Sequence, residues 1–529
     1  MTLLGCGSPQ QPDAPEKQRP NIIFIMSDDH AYQAISAYND RLIQTPNIDR
    51  IGQEGMIFTN ACVTNSICAP SRATILTGKH SHLNGKIDNV FPFDTTNVTF
   101  PQLLHEAGYQ TAMFGKLHFG NNPKGFDEFK ILPDQGDYYN PEFITSDGDT
   151  SVIGYVTDII TDFTIDWFEN RRDESKPFFL AYLHKAPHRE WIPAKRHYEE
   201  FTKRQFPEPE TLFDNYEGRG RAAKEAEMDL LTYMTVSADN KIYPDVAKEL
   251  GIKETSNWGE RVFNMKYERF TAEQKASWDA TYEPINEAFK AAYPDMDERD
   301  FVRWKYQRYM QDYLGCIAAV DENIGRLNQY LEANGLKENT IIVYTSDQGF
   351  YLGEHGWFDK RFAYDESFNT PLLVSWPGVI APGSKSTEMV QNLDFAQTFL
   401  GAAGVPAPDD MQGESLVPLL KGDKDAWTRE AAYYHYYEYP GFHAVKRHYA
   451  IVTEEYKLIH FYYDIDEWEL YDRKKDPMEM NSVYDDAAYA NVVKKLKADL
   501  QQLRVKYGDS EEMDQKYIDM YNQRQVEKR

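Results

Sequence analysis

The chain has 529 residues, of which 41% are hydrophobic and 14% aromatic, and its formal net charge is −27 at pH 7. This composition is typical of a packed globular protein and excludes a disordered one, while the length exceeds what one hydrophobic core usually supports. The negative charge argues against general binding to nucleic acids or other polyanions. No apolar run approaches the ~18 residues that would span a membrane.

The first 19 residues are predicted to form a tether. Leu3-Leu4-Gly5-Cys6 resembles a bacterial lipobox, in which the cysteine is lipidated after the export signal is removed. The charged and long apolar segments of a signal are absent before it, so we expect that the signal has been trimmed. A chance tetrapeptide is the alternative. The lipobox predicts a periplasmic or cell-surface lipoprotein of a Gram-negative bacterium, which meets a membrane only through a lipid on Cys6.

Four apolar segments of strand length are each followed by polar side chains that could take part in catalysis. These segments are residues 21–26 before Asp28-Asp29-His30, residues 111–114 before Lys116 and His118, residues 177–183 before His184-Lys185-Ala186-Pro187-His188, and residues 340–344 before Asp347-Gln348. Continuous apolar runs are typical of strands that helices cover on both faces. Ligands of such sheets bind outside the carboxyl ends of the strands, so the four endings predict one common site.

Helical patterns separate these segments. A helix is predicted from Phe100 to a stop at Gly108, and a longer one over residues 310–331 ends before Gly335. Residues 202–300 are charged and poor in strand pattern, which favours a helical insertion. From residue 431 onward, short aromatic strands at 449–453, 456–461 and 467–471 predict a small antiparallel sheet, followed by a helix over 492–507. We therefore predict a catalytic domain over 20–425 and a C-terminal subdomain over 426–529.

The cysteines do not form a disulfide framework, although Cys62 and Cys316 could be either buried thiols or a bridge. Cys68 is different, because it opens the string Cys68-Ala69-Pro70-Ser71-Arg72, which is followed by Thr77-Gly78-Lys79. This string resembles the signature of type I sulfatases, in which a sulfatase-maturing enzyme oxidises the cysteine to formylglycine. The alternative is a small buried cysteine at the start of a helix.

The resemblance to sulfatases extends over roughly residues 20–475 and implies the alkaline-phosphatase-like α/β fold. In that fold a mixed, mostly parallel sheet is sandwiched by helices, and a smaller C-terminal α+β domain carries an antiparallel sheet. The oxygen-only set of Asp28, Asp29, Asp347 and Gln348 suits a hard cation, Ca²⁺ or Mg²⁺. The resemblance makes these four residues and modified Cys68 the ligands of calcium, with Gln348 standing where many relatives carry asparagine.

The resemblance also implies roles for the cations and histidines of the pocket. Arg72 would hold the hydrated formylglycine and the carboxylates, while Lys116 and Lys360 would bind the sulfate group. His188 would lie near the leaving oxygen. His118 would remove the hydroxyl proton that triggers release of sulfate from the hydrate.

The implied mechanism has two stages. One hydroxyl of the hydrate attacks sulfur while Asp347 accepts its proton, and His188 or Lys360 protonates the leaving alcohol. The second hydroxyl then expels sulfate with His118 as base, which regenerates the aldehyde.

The stretch from Asp347 to Phe362 looks most like glucosamine-6-sulfatases that act on glycosaminoglycan or mucin sugars. Asp359 and Arg361 are expected to bind sugar hydroxyls. His443 and His448 could close the pocket from the second domain, and a hydrophobic seam with incidental histidines is the alternative. A closed pocket would favour exo action. We therefore predict an exo-acting N-acetylglucosamine-6-O-sulfatase on heparan-type glycosaminoglycan or mucin glycans.

Other functions remain open at this point. A carbohydrate sulfatase of the iduronate-2 or galactose-6 type would use the same chemistry. A phosphonate or phosphate monoester hydrolase can share the nucleophile and fold, and a non-catalytic glycan-binding lipoprotein would result if Cys68 were never oxidised. The expected partners are a sulfated carbohydrate and, transiently, the maturing enzyme, with no nucleic acid.

Overall fold

The computed structural model of the protein describes residues 19–441 and 445–527, with side chains as far as residue 524. The predictions made for Cys6 and His443 therefore lie outside the described residues. Within the described ranges, no helix is both long and apolar enough to cross a membrane.

The strands are numbered in chain order. They are β1 (Asn21–Ser27), β2 (Met56–Phe58), β3 (Ala61–Cys62), β4 (Gln110–Lys116), β5 (Glu128–Leu132), β6 (Glu142–Thr145), β7 (Thr150–Ser151), β8 (Phe178–Leu183), β9 (Thr340–Ser346), β10 (Tyr351–Leu352), β11 (Phe358–Asp359), β12 (Leu372–Ser375), β13 (Ser384–Ser386), β14 (Val390–Gln391), β15 (Ala431–Tyr436), β16 (His448–Thr453), β17 (Tyr456–Phe461) and β18 (Glu467–Asp472).

The α-helices are numbered in the same way. They are α1 (Pro46–Gln53), α2 (Cys68–Thr77), α3 (Ser81–Asn84), α4 (Phe100–Glu106), α5 (Val156–Asn170), α6 (Tyr198–Thr202), α7 (Arg221–Lys224), α8 (Pro244–Glu249), α9 (Trp258–Arg269), α10 (Ala272–Ala292), α11 (Glu298–Ala333), α12 (Asp365–Phe368), α13 (Phe395–Ala403), α14 (Val417–Leu420), α15 (Ala490–Lys506) and α16 (Glu511–Glu527).

The centre of the molecule is a ten-stranded mixed sheet with the order β13-β2-β12-β9-β1-β8-β4-β5-β6-β7. The four strands predicted from apolar runs, β9, β1, β8 and β4, are neighbours in that order, and they pair in parallel. Their carboxyl ends therefore lie at one edge of the sheet, as predicted. The predicted α/β fold class is confirmed.

Helices cover both faces of this sheet, which explains why its central strands are apolar throughout. One face packs against α5 and α11, with Ile23 and Ile25 of β1 in that core. The other face packs against α4 and α13, with Phe24 of β1 touching the rings of Phe395 and Phe399. Burying a side chain of this size stabilises the fold by about 1.5–3 kcal/mol.

A second, antiparallel sheet has the order β15-β16-β17-β18. Helix α15 packs on one face of it, with Leu496 and Leu500 in a shared core. The other face packs against the segment 357–368 of the first sheet's domain. Helix α16 follows α15 and was not predicted. The expectation of a helical insertion over residues 202–300 is met only in part, because α9 and α10 lie within residues 258–292, whereas residues 203–243 are irregular apart from α7.

Cys62 and Cys316 are both free and fully buried thiols, so the disulfide alternative is wrong. Burial raises the pKa of the Cys316 thiol to about 12. Both residues are core side chains rather than reactive groups.

Candidate active site

The functional side chains predicted from the sequence converge at the carboxyl edge of the large sheet. Asp28 and Asp29 follow β1, Asp347 and Gln348 follow β9, and Lys116 ends β4. Because these parallel strands are neighbours, the residues after them meet at one place.

Three carboxylates form the base of the site. Asp28, Asp29 and Asp347 each present an oxygen within 4.8 Å of the others, and all three are fully buried. The backbone N–H of Asp29 donates to Asp347 Oδ1 at 3.1 Å. Asp29 adopts a left-handed backbone with φ of 65°, a conformation that is uncommon for a non-glycine residue and often marks a functional site.

Cys68 is the first residue of helix α2 and is fully buried beside the carboxylates. Its Sγ lies 4.0 Å from Asp29 Oδ1. Burial, together with the charge of Asp28, raises the pKa of the Cys68 thiol well above its ordinary value. An unmodified thiol at this position is therefore a poor nucleophile, because the thiolate is the reactive form.

Arg72 lies one helical turn after Cys68 and binds two of the carboxylates. Its Nε donates to Asp347 Oδ2 at 3.0 Å, while Nη2 lies 2.9 Å from the same oxygen and 3.5 Å from Asp28 Oδ1. Ser71, the residue before it, donates a hydrogen bond to the Asp347 carbonyl. Helix α2 thus holds both Cys68 and the loop after β9.

Lys116 reaches the carboxylates from β4, and its Nζ donates to Asp28 and to Gln135. Gly115 precedes it with φ of 112° and lies against β8, where an added Cβ would be 1.7 Å from the Leu183 carbonyl oxygen. Only glycine allows this approach, so Gly115 sets the position from which the Lys116 side chain extends.

His118 lies at the mouth of the site and is 6% exposed. Its Nε2 is 3.3 Å from Gln135 Nε2 and 3.3 Å from Asp134 Oδ1. Burial lowers the pKa of His118 to about 4. The imidazole is therefore neutral near pH 7 and is available as a base.

His188 follows β8 and faces Asp29, with 3.8 Å between its Nε2 and Asp29 Oδ2. Its Nδ1 is hydrogen-bonded to the Arg189 carbonyl, which therefore accepts the Nδ1 proton. Burial, followed by the charge of Lys116, lowers the pKa of His188 well below its ordinary value. The neutral ring has its unprotonated Nε2 directed at the site.

Lys360 lies between two residues with left-handed backbones, Asp359 with φ of 82° and Arg361 with φ of 97°. Its Nζ donates to both oxygens of Asp29, at 2.6 and 2.7 Å. Although burial opposes its charge, Asp29 holds the pKa of Lys360 above the ordinary value. Arg361 Nη1 lies 2.5 Å from Asp359 Oδ2, so these three residues form one charged turn at the site, the 359–361 turn.

The carboxylates do not share one electrostatic environment. Burial raises the pKa of Asp347 to about 7, with Asp28 adding to the shift, and burial raises the pKa of Asp29 to about 6. For Asp28, Lys116 and other nearby cations outweigh the effect of burial and lower the pKa. Three carboxylates this close disfavour simultaneous ionisation unless positive charge balances them.

The donor set fits a hard cation. Asp28 Oδ1 and Gln348 Oε1 are buried and accept no hydrogen bond from the described residues. Carboxylate and amide oxygens, with no histidine or thiolate required, are the ligands that Ca²⁺ prefers. Gln348 Nε2 donates to Asp29 Oδ1, which leaves its carbonyl oxygen available for a cation.

The structure does not bring His448 into this site. His448 is fully buried in the seam between the two sheets, where its Nε2 accepts from the Ala363 N–H at 3.1 Å and its Nδ1 donates to the Lys446 carbonyl at 2.7 Å. Both ring nitrogens are used, so direct binding of substrate by His448 was the wrong expectation. His448 instead lies in a packed seam, which was the alternative predicted from the sequence.

Sequence reasoning missed Gln135, which connects Lys116 to His118, and Asn392, which donates to Ser71 Oγ at 2.8 Å. Gln135 follows strand β5 in the same way that Asp28 follows β1, so its position after a strand was a usable signal. For Asn392, which lies 321 residues from Ser71, no comparable signal exists.

Comparison with known proteins places this geometry in a family. The family model "Sulfatase" matches residues 20–405, and the model "N-sulphoglucosamine sulphohydrolase, C-terminal" matches residues 353–506. The chain is 50% identical over 516 residues to an N-acetylglucosamine-6-O-sulfatase of Bacteroides thetaiotaomicron, which covers 97% of this chain and 90% of the relative. It is 24% identical over 546 residues to an ulvan-active sulfatase of Formosa agariphila, covering 99% of this chain and 88% of that protein.

A solved structure is also similar over nearly the whole chain. It is that of a protein in complex with its substrate D-glucosamine-2-N,6-O-disulfate, with a TM-score of 0.88 and 49% identity, and the match covers 93% of this chain and 99% of the other. The family match, the near-full-length relatives and the convergence of Cys68, Arg72 and the carboxylates agree. The chain belongs to the sulfatase family and is a sulfuric ester hydrolase.

Proposed function

We propose that the protein removes 6-O-sulfate from N-acetylglucosamine or related glucosamine residues of glycosaminoglycan or mucin chains. The observation that carries this proposal is the site itself, together with 50% identity over 97% of the chain to an enzyme of that name. A solved relative with 49% identity holds a 6-O-sulfated glucosamine as its substrate, which supports the same sugar class.

The proposal includes formylglycine at position 68 and calcium held by Asp28, Asp29, Asp347 and Gln348. Formylglycine supplies a geminal diol as nucleophile and calcium supplies charge neutralisation at the sulfuryl oxygens. The raised pKa of the Cys68 thiol and the two buried oxygens without hydrogen bonds support this assignment.

The other steps of the reaction are assigned to side chains of the site. Lys116 and Lys360, which pair with Asp28 and Asp29 respectively, bind the sulfate group. Arg72 orients Asp347, and Asp347 accepts the proton of the attacking hydroxyl. His118, neutral and at the mouth, serves as the base in sulfate release.

The sequence did not decide whether His188 or Lys360 protonates the leaving alcohol. We favour Lys360, because its ammonium carries protons and donates them in hydrogen bonds at Asp29. The Nδ1 proton of His188 is engaged with the Arg189 carbonyl and its Nε2 carries none in the neutral ring. His188 Nε2 is then suited to accept a hydrogen bond from the substrate.

Asp359 and Arg361 are proposed to bind the sugar. Both flank Lys360, which binds the sulfate in this proposal, and their charges lie at the site. Their pairing fixes the carboxylate and the guanidinium relative to each other, as recognition of sugar hydroxyls requires. Exo action remains part of the proposal, and so does a lipid-anchored, periplasmic or cell-surface location through Cys6.

The test is a panel of defined sulfated monosaccharides offered to the matured protein. We expect sulfate release to be fastest from N-acetylglucosamine 6-sulfate or N-sulfoglucosamine 6-sulfate. Faster release from galactose 6-sulfate or a 2-O-sulfated uronate would contradict the sugar assignment. A parallel assay with an aryl sulfate and an aryl phosphonate separates the sulfatase from a phosphonate hydrolase.

A further inference from the structure

One face of the C-terminal sheet holds the segment that directly follows Lys360. Residues 361, 363, 364 and 365 of that segment each contact one or two buried side chains, and each of the four contacts a different strand of the sheet. The contributing side chains are Tyr434 of β15, His448 of β16, Lys457 of β17, and Glu469 with Tyr471 of β18.

The first two contacts hold the backbone. Tyr434 Oη donates to the Arg361 carbonyl at 2.5 Å and accepts from the Ser66 N–H at 3.2 Å. His448 Nε2 accepts from the Ala363 N–H at 3.1 Å. Ser66 lies two residues before Cys68, so Tyr434 bonds the 359–361 turn and the segment before the nucleophile at the same time.

The other contacts hold the side chains of Tyr364 and Asp365, the two residues after Ala363. Tyr364 Oη donates to Glu469 Oε2 at 2.7 Å and lies 3.2 Å from the Tyr471 hydroxyl. Lys457 Nζ donates to Asp365 Oδ1 at 2.7 Å, and the Asp365 N–H donates to Glu479 at 2.8 Å. None of these groups touches the carboxylates of the site in the described structure.

The turn needs such support because its backbone is unfavourable. Asp359 and Arg361 are both non-glycine residues at positive φ, and such conformations persist only where the surroundings impose them. A relaxed turn would move the Lys360 ammonium away from Asp29 and would turn the Arg361 side chain. Displacements of about 1 Å at a reacting group can cost on the order of 100-fold in rate.

We propose that the C-terminal sheet is a template that sets the 359–361 turn, with Tyr434 and His448 as positioning residues for Lys360 and Arg361. The inference rests on the proposed roles of those two residues in the site. In this view the sheet contributes to turnover without contacting the substrate through these groups. Burial keeps this histidine neutral, so that its Nε2 can accept the Ala363 N–H.

Tyr434→Phe tests the proposal, because it removes one hydroxyl and little else. The matched control is Tyr449→Phe on the neighbouring strand β16, where the hydroxyl bonds His460 Nδ1 at 2.7 Å on the opposite face of the sheet. Each variant is checked by mass spectrometry for the fraction of residue 68 that is modified, and rates are divided by that fraction.

Tyr434→Phe removes two hydroxyl hydrogen bonds and Tyr449→Phe removes the one to His460, so the first variant should have the lower melting temperature. Both variants should be fully folded at the assay temperature, which the melting curves check. The kcat/KM of Tyr434→Phe should fall about tenfold with a small aryl sulfate as well as with the sugar sulfate, because Lys360 serves both substrates. Tyr449→Phe should stay within about twofold of the wild type. Equal rates for the two variants on the aryl sulfate would overturn the proposal.

Tyr364→Phe is the second variant, for use if Tyr434→Phe does not fold, and the same loss relative to Tyr449→Phe is expected. The rates of the variants on the small aryl sulfate are sufficient to test the template proposal. If the wild type hydrolyses the aryl sulfate but no 6-sulfated glucosamine, the proposed sugar is wrong while the comparison of the variants still gives its answer.

Discussion

The two sheets of this protein serve the site in different ways. Strands β1, β4, β8 and β9 of the large sheet deliver charged side chains directly, because each strand is followed within a few residues by a group at the site. The C-terminal sheet contacts a neighbouring segment with buried hydroxyl, imidazole and ammonium groups. The large sheet therefore delivers the carboxylates, Lys116 and His188 to the site, and the small sheet supports the turn that carries Lys360 and the two residues proposed to bind the sugar.

The largest effect should come from the nucleophile, which helix α2 holds beside the carboxyl edge of the large sheet. Cys68→Ala should fold and keep much of its affinity for substrate, because the surrounding charges remain. Turnover should fall on the order of 10⁴-fold or more, since the diol cannot form. The measurement is sulfate release by protein purified from a host that lacks sulfatases, and measurable turnover by that protein would contradict the assignment.

The carboxylate cluster should come next. Asp347→Ala, or exhaustive chelation of the wild type, should lower activity on the order of 10³-fold, because a proton acceptor or a balancing charge is lost. Elemental analysis of the active protein should find calcium. Full activity after chelation, with no metal detected, would sink the calcium assignment.

The 359–361 turn should discriminate between substrates. Asp359→Ala should lower kcat/KM on the sugar sulfate by about 10–100-fold, since an unpaired buried polar group costs about 1–3 kcal/mol. The loss on a small aryl sulfate, which lacks the sugar hydroxyls, should be much smaller. Asp410→Ala, at an exposed carboxylate paired with Lys79, is the control. Equal losses on both substrates would place Asp359 in the chemistry or the fold instead.

The smallest effect concerns acid stability of the small sheet. Burial lowers the pKa of His448 to about 3, whereas an unfolded histidine titrates near 6.5. Because the pKa of His448 is lower in the folded state than in the unfolded state, the neutral side chain contributes its full stability above about pH 6.5. That contribution is lost as the pH falls toward 3. At pH 5 this loss is about 2 kcal/mol.

His448→Gln removes that titration while keeping a polar side chain. Between pH 7.5 and pH 5, the wild type should therefore lose about 2 kcal/mol more unfolding free energy than the variant. Urea unfolding at the two pH values measures this difference. Identical pH dependences for the two proteins would contradict a neutral, buried His448.

The large sheet could be predicted from the sequence because each of its central strands is marked by an apolar run with polar residues close behind it in the chain. Asp28, Lys116 and Asp347 directly follow apolar runs, and the motif at Cys68 stands on its own. The arrangement of parallel strands then brings distant residues together by a general rule. Those predictions needed no knowledge of individual contacts.

The role of the small sheet could not be predicted in the same way. The bond between His448 and Ala363 joins residues 85 positions apart, and it depends on how one sheet docks against a loop. An aromatic stretch with histidines is equally compatible with a lid and with a packed seam, and the choice is made by tertiary packing. The positive φ at Asp359 and Arg361 was equally invisible, because non-glycine residues keep such a backbone only where the surrounding structure imposes it.

The division of work between the two regions is tested most directly by one ratio, that of kcat/KM on N-acetylglucosamine 6-sulfate to kcat/KM on a small aryl sulfate. Lys116→Ala, on the large sheet, should lower both values together and leave the ratio within about twofold of the wild type. Arg361→Ala, in the turn held by the small sheet, should lower the ratio by about tenfold or more. If Arg361→Ala leaves the ratio unchanged, or if Lys116→Ala changes it as much, the proposed division is wrong.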